Sequence, residues 1–262
     1  MSTPLRDLSG SSLLAVFAHP DDESLASGGL LAWCAESGVQ ISLLCLTHGE
    51  HGRGSDGARL RDVRAGELKE AALVLGIHDV QLLNHEDGML PWINEPLLEA
   101  DISDAISRFR LDVVVTFDED GLYWHPDHIA VHERTTSAVA GLGASGPALL
   151  YVSLPAGAMR GVVEAASSQP GCSDQILGVS DADAFGSKAP APTFVVDAGE
   201  YACRKLAALR CHRSQVEGSA LDCVDERDAP RLLGTEHYRR AEVGARGSIF
   251  VEGFGTPVTT AD

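Results

Sequence analysis

The feature that most constrains this chain is a regular alternation through its first 155 residues. Short apolar runs at 13–17, 41–46, 80–83, 113–117 and 149–154 alternate with stretches of helical period at about 24–38, 58–76, 95–110 and 127–142. A short run with no polar face suits a strand buried on both sides. Such strands separated by helices imply a parallel sheet covered on both faces. Gly38 and Gly76 stand where a helix should end, each just ahead of a strand. The expected fold is α/β, a doubly wound, Rossmann-like and mostly parallel sheet with helices on both faces.

The alternation fails at 155–192, where Pro155, Gly157, Gly161, Pro170, Gly171, Gly178, Gly186, Pro190 and Pro192 interrupt every period. That stretch reads as an irregular excursion or cap. A strand at 193–196, a helix near 199–215, a helix near 228–241 and a short strand near 248–251 are expected beyond it. No composition shift marks a second domain, so 1–262 is read as one.

Doubly wound sheets bind ligands outside the carboxyl ends of their strands, where the strand order reverses. In the order 3-2-1-4-5, the first and fourth strands meet there. The loops leaving these two strands are Ala18-His19-Pro20-Asp21-Asp22-Glu23 and the stretch from Asp118 through His125-Pro126-Asp127-His128. They are the two densest runs of histidine and carboxylate in the sequence. A dinucleotide site is disfavoured, because Asp21, Asp22 and Glu23 would repel a pyrophosphate and Gly28 and Gly29 come too late for a tight turn. Those two glycines are expected to let the helix approach the sheet. A serine hydrolase is disfavoured by the lack of a G-x-S-x-G elbow.

Charge narrows the partners. With 38 Asp and Glu against 20 Lys and Arg, the net charge is −18, and no basic run exists to neutralise phosphates. Nucleic acid and anionic membranes are thereby excluded as partners. No apolar run approaches the ~20 residues of a membrane span. The six cysteines form no CxxC pair and read as buried thiols of a reducing compartment. A cytoplasmic location is expected, and a homo-oligomer is compatible with the sequence. Most of the acidity reads as solvated surface; the remainder is expected to do chemistry.

A metal accounts for carboxylates set beside imidazoles. His19 and Asp22 stand three apart at a strand-to-helix turn, and His125 and His128 repeat that spacing on the neighbouring loop. Two histidines and one carboxylate leave a fourth position open, as catalytic zinc sites do, and Fe2+ accepts the same donors. Asp21, adjacent but not a ligand, is placed to take a proton from water. Competing readings are helix capping by the Pro-Asp of each loop, a pair formed by His128 and His132 with Glu133, and a pair formed by His48 and His51.

Together, Ala18-His19-Pro20-Asp21-Asp22-Glu23 and His125-Pro126-Asp127-His128 resemble the LmbE-like or PIG-L-type zinc-dependent N-acetylglucosaminyl deacetylases. The resemblance covers roughly the first 155 residues and resumes at K-L-A-A-L-R-C-H-R-S-Q from Lys205 to Gln215. It implies that His19, Asp22 and His128 bind Zn2+, that Asp21 is the general base, and that His125 assists at the tetrahedral intermediate. It further implies that Asp127 orients His125 and that Tyr123 helps hold the oxyanion. Softer matches are Thr47-His48-Gly49-Glu50, which places Glu50 at the substrate, Asp87-Gly88-Met89, whose Asp87 would meet sugar hydroxyls, and an R-x-x-E formed by Arg64 and Glu67, whose Arg64 would lie near the sugar. Arg64 and Glu67 fall on the apolar arc of their helix, where two charges need each other or a ligand. Leu122-Tyr123-Trp124 replaces the family's Gly-Tyr-Gly, and Trp124 offers a ring to stack on a sugar or aglycone. The 155–192 segment would shape the substrate pocket, and His212 reads as a structural residue on an amphipathic helix.

The expected activity is removal of the N-acetyl group from an N-acetylglucosamine-containing small molecule or glycoconjugate by metal-assisted amide hydrolysis. Two alternatives are hydrolysis of a larger N-acyl group or thiol conjugate at the same zinc site, and a non-catalytic sugar-binding module.

Overall fold

The five apolar runs all become strands, four of them buried in the sheet interior and the third forming a half-buried edge. In the computed structural model, which describes residues 7–258 apart from 55, 187 and 189, these are β1 (Ser12–Phe17), β2 (Gln40–Thr47), β3 (Asp79–His85), β4 (Val113–Phe117) and β5 (Ala148–Val152). All pair in parallel, and Leu13 of β1 faces Ile41 of β2 on one side and Val113 of β4 on the other. Between them run α1 (Asp22–Glu36), α2 (Gly57–Leu75), α3 (Glu95–Arg108) and α4 (Pro126–Gly141). Gly38 and Gly76 take positive φ of 86° and 79° at the ends of α1 and α2, a conformation that costs glycine little. Strand order runs β3-β2-β1-β4-β5 through this half, so the winding direction reverses between β1 and β4. Right-handed crossovers then send α1 and α2 to one face and α3 and α4 to the other.

The second half departs from the sequence reading. The helix expected at 228–241 is instead a short α8 (Ala229–Leu233) followed by a ten-residue strand, β7 (Thr235–Gly244). β7 runs antiparallel between β5 and β6 (Phe194–Asp197), and β8 (Gly255–Pro257) closes the sheet in the order β3-β2-β1-β4-β5-β7-β6-β8. The strand expected at 248–251 is a 3-10 turn at Phe250–Gly253. The helix expected at 199–215 breaks at His212, whose backbone (φ −79°, ψ 52°) separates α6 (Ala202–Cys211) from α7 (Arg213–Val216). Within the irregular excursion lie α5 (Arg160–Ser167) and a tight reversal whose Ile176 and Val179 pair.

Two expectations about small residues are corrected here. Cys172 and Cys223, read as free thiols, form a disulfide between the excursion and the segment after α7, with their Cα atoms 6.2 Å apart. The folding of one irregular segment onto the other brings them together, which spacing alone does not reveal. Cys34 and Cys45 are buried thiols as expected, whereas Cys203 is exposed. Gly29 brings α1 against the sheet as expected, at β7, whereas Gly28 admits α6 instead: a Cβ on Gly29 would lie 2.5 Å from Ala198 Cβ and 3.1 Å from Glu236 Oε1, and one on Gly28 2.9 Å from Lys205 Cγ. Into this gap comes Glu236 of β7. It accepts from the backbone of Gly29 (2.8 Å) and Leu30 (2.9 Å), from Lys205 Nζ (2.7 Å) and from the Tyr238 hydroxyl (2.9 Å). Among the described residues, no helix is long and apolar enough to cross a membrane.

Candidate active site

Because β1 and β4 are neighbours, their exit loops face each other across the reversal point. Leaving β1, the chain turns at Asp21 with φ 114°, and Asp22 opens α1. Leaving β4, the stretch Gly121–Trp124 is distorted, with Leu122 at φ 65° and Trp124 at φ 66°. His125 then caps α4, accepting the Asp127 backbone N–H on Nδ1 at 3.2 Å.

The two ligand histidines expected from sequence are held by their second nitrogens. His128 Nδ1 lies 3.1 Å from the Gly121 carbonyl, so that nitrogen carries the proton and Nε2 presents a lone pair. His19 Nε2 lies 3.1 Å from Asp127 Oδ2 and 3.0 Å from Asp87 Oδ1, which leaves Nδ1 to face inward. His19 Nδ1 and His128 Nε2 are 3.2 Å apart. Asp22 spans both, with Oδ2 3.3 Å from His19 Nδ1 and Oδ1 3.2 Å from His128 Nε2. Four-coordinate zinc with bonds of about 2.0–2.1 Å separates its ligands by roughly 3.3 Å. The three donors therefore fit one tetrahedral ion, and the carboxylates behind His19 supply the outer hydrogen bonds that such sites use. His125 also lies close enough to His19 and His128 to share a cation with them, and Asp87, Asp127 and His19 form a further convergent group. Those two carboxylates are already taken up by backbone N–H groups of His51, Gly88 and Leu90.

Charge in this cluster favours a cation. Burial pushes His19 toward neutrality, but Asp127, Asp22 and Asp87 outweigh it and hold its proton well above the ordinary histidine range. Burial raises the Asp21 carboxyl to about 7 against the Arg64 guanidinium, with neighbouring Asp22 adding to the rise. Burial and the nearby His128 and His19 depress His125 to about 4, so it is neutral at physiological pH. Asp87 falls to about 2, because hydrogen bonding with His19 overcomes the effect of its burial. Burial, then Asp22 and Asp21, hold the Tyr123 hydroxyl protonated.

A cleft of about 450 Å3 opens over these groups, lined by His19, Asp21, Arg64, Asp87, Tyr123 and His125 from the expected set. His51, Gly52, Arg53, Gly88, Leu177, Gly178 and Gln215 complete its wall. Asp22 and His128 lie beneath it, almost fully buried.

Four expectations change on contact with the structure. Asp127 does not orient the His125 side chain; its carboxylate goes to His19, Gly88 and Leu90, and only its backbone N–H reaches His125. Arg64 and Glu67 do not pair: Arg64 Nη2 binds Asp21 Oδ2 at 2.9 Å, while Glu67 accepts from the Ser214 backbone and hydroxyl. Trp124 is 48% exposed and lies under Lys188 Nζ, 5.4 Å from its ring centroid, and it does not line the cleft. Glu50 is likewise outside the lining; it is buried, with Oε1 accepting the Asp87 backbone N–H at 3.3 Å, so it supports Asp87. His212 is structural, in keeping with the sequence reading: its Nε2 meets Glu23 Oε1 at 2.8 Å and it does not line the cleft. The competing pairs separate: His132 Nδ1 bonds the Phe117 carbonyl, and His48 Nε2 bonds Asn84.

The resemblance carried signals for Glu23 and Gln215, which both lie in its segments, and it assigned 155–192 to the pocket as a whole without singling out Leu177 or Gly178. These last two come from the tight reversal of the excursion, with Leu177 at φ 48°. The excursion also supplies Phe185, whose ring lies 4.9 Å from Tyr123, and Gly186, whose N–H bonds the Leu122 carbonyl. These contacts hold the turn that carries Tyr123.

Residues 14–139 match the PIG-L family, described as GlcNAc-PI de-N-acetylase. A relative from Acidothermus cellulolyticus, a 1D-myo-inositol 2-acetamido-2-deoxy-alpha-D-glucopyranoside deacetylase, is 32% identical over 93% of this chain and 92% of its own. The chain belongs to the PIG-L (LmbE-like) family. Solved structures share the PIG-L fold at lower identity. N,N'-diacetylchitobiose deacetylase from Pyrococcus horikoshii superposes with a TM-score of 0.64 at 20% identity, covering 88% of this chain and 84% of that one. The 4-carboxy-2-hydroxymuconate hydratase from Pseudomonas putida reaches 0.63 at 18% identity, covering 91% and 99%. A deacetylase and a hydratase on one scaffold mean that the reaction must be argued from the site.

Proposed function

We propose that this PIG-L protein is a metal-dependent N-deacetylase that hydrolyses the acetamide of an N-acetylglucosamine-containing glycoside. The observation that carries this reading is the convergence of His19 Nδ1, His128 Nε2 and the Asp22 carboxylate beneath a cleft lined by Asp21. A Zn2+ or Fe2+ ion held by those three residues would supply Lewis acidity, making a water molecule acidic and polarising the amide carbonyl.

The chain's own groups account for the proton movements. Asp21, oriented by Arg64, takes a proton from water as the new C–O bond forms at the acetyl carbon. Tyr123 stays protonated and lines the cleft beside His125, so its hydroxyl serves as a donor to the developing oxyanion. Protonated Asp21 then returns its proton to the nitrogen as the C–N bond breaks, giving acetate and a free amine. Asp87, ionised on the cleft wall, accepts from sugar hydroxyls.

The substrate named for the Acidothermus relative, the acetamidoglucosyl inositol, is the first glycoside to test. Acetate release and the mass of the amine product are the readouts. Asp21→Asn should keep its metal and lose about 1000-fold in kcat, within the range for a positioned acid–base group. Full turnover in that variant would remove the general base, and no acetate from any N-acetylglucosaminide would remove the activity.

A further inference from the structure

We propose that Glu23 and His212 are positioning residues that hold Asp21 in its working conformation. This rests on the reading of Asp21 as the general base. Asp21 occupies a backbone region (φ 114°, ψ −26°) that residues with a side chain rarely adopt. Such a conformation persists only where the surroundings over-determine it. Its carbonyl is taken by the N–H groups of Ser24 and Leu25 as α1 begins. Its N–H points the other way and donates to Glu23 Oε2 at 3.0 Å.

Glu23 is fully buried, and both its oxygens are engaged. Oε1 accepts from the Ser24 hydroxyl at 2.5 Å and faces His212 Nε2 at 2.8 Å. His212 is also fully buried and sits at the backbone break between α6 and α7. Its Nε2 therefore comes from a segment 189 residues away in sequence to fix a carboxylate that touches the Asp21 backbone. Neither residue lines the cleft, so neither touches substrate. Removing Glu23 leaves the Asp21 N–H buried without an acceptor, and the turn has no other described contact holding that amide.

The test is a coupling measurement. Glu23→Ala should lower kcat about 100-fold, the cost of a small misplacement of a reacting group, with KM and metal content unchanged. Glu23→Gln keeps an acceptor for the Asp21 N–H and should recover kcat to within about fivefold of wild type, in proportion to the hydrogen bond retained. His212→Leu should fall between the two, and His212→Gln, which restores an N–H donor, should recover part of the loss. In an Asp21→Asn background Glu23→Ala should cost nothing further. A second 100-fold loss there, or loss of metal, would show that Glu23 acts through Asp22 or through the fold and would overturn the proposal. Asp21→Asn alone reports on the base assignment, so the two failures are distinguishable. A crystal structure of Glu23→Ala supplies a readout free of activity. Asp21 should leave the positive-φ region in that variant; an unmoved Asp21 would refute the positioning role.

Discussion

Two buried ionic clusters flank α1, one at its N-terminus and one against its middle, and they are built on opposite principles. At the middle, Glu236 accepts four hydrogen bonds, from Gly29, Leu30, Lys205 and Tyr238, and nothing is left over for a ligand. At the N-terminus, His19 and His128 spend one nitrogen each on carboxylates or a carbonyl and turn the other toward Asp22. Asp21 and Asp87 sit at the edge of a cleft. A saturated cluster locks elements together, whereas one with inward-facing lone pairs is suited to holding a cation. The contrast predicts that mutations in one cluster should read out in activity and in the other in stability.

The largest effect should come from His19→Ala. That substitution removes one of three donors and also frees the Asp87 and Asp127 carboxylates behind it. Bound metal, measured by elemental analysis, should fall from one ion per chain to near none, and turnover should fall by more than about 1000-fold. An unchanged metal stoichiometry would dissolve the ligand set, and with it one half of the comparison.

Next in size is Glu236→Ala. It strands the Lys205 ammonium, two helical N–H groups and a tyrosine hydroxyl in the interior. Breaking one side of a buried pair costs about 3–5 kcal/mol, to be read as a drop in denaturation midpoint, while kcat per folded, metal-loaded molecule should change little. Equal damage to kcat would mean that the two clusters communicate along α1 and are not separate devices.

The same contrast explains what was legible in the sequence. The candidate catalytic cluster follows from a topological rule, since parallel strands of a doubly wound sheet deliver β1 and β4 to one point, and two short motifs fill the loops there. The stabilising cluster is not legible in the sequence, because it depends on β7, whose residues carry a helical pattern. Along β7 the residues Glu236, Arg239 and Arg240 interrupt the apolar alternation that marks a strand. Each is satisfied from another element: Glu236 by Lys205, Arg239 by Asp118 at 2.9 Å, and Arg240 by Glu252. A strand whose charges are neutralised across the fold leaves no local pattern. The contact of His212 with Glu23 is hidden for the same reason, because the two belong to different parts of the chain.

A smaller effect follows at Gly29→Ala. The added Cβ would stand 2.5 Å from Ala198 Cβ and 3.1 Å from Glu236 Oε1, so the stabilising cluster must shift to admit it. Overpacking of this kind costs about 1–3 kcal/mol. Thermal denaturation should show the loss, and metal affinity should not. A weakened metal site would place the strain at the N-terminus of α1 instead of its middle.

The smallest effect tests the cleft's outer wall. Leu177 reaches the cleft from the excursion, at the tip of the reversal formed by Ile176 and Val179, and that segment is tied at Cys172 to Cys223. It is the apolar side chain that the excursion contributes to this wall, and because the excursion lies outside the two motif loops, Leu177 is assigned here to the aglycone. Leu177→Ala should raise KM for a glycoside about fourfold per methylene withdrawn from contact and leave kcat and metal content unchanged. For simple N-acetylglucosamine, which lacks an aglycone, KM should not move. An equal rise in KM for the free sugar and the glycoside would place Leu177 against the sugar ring, and the excursion would then belong to the catalytic half of the comparison.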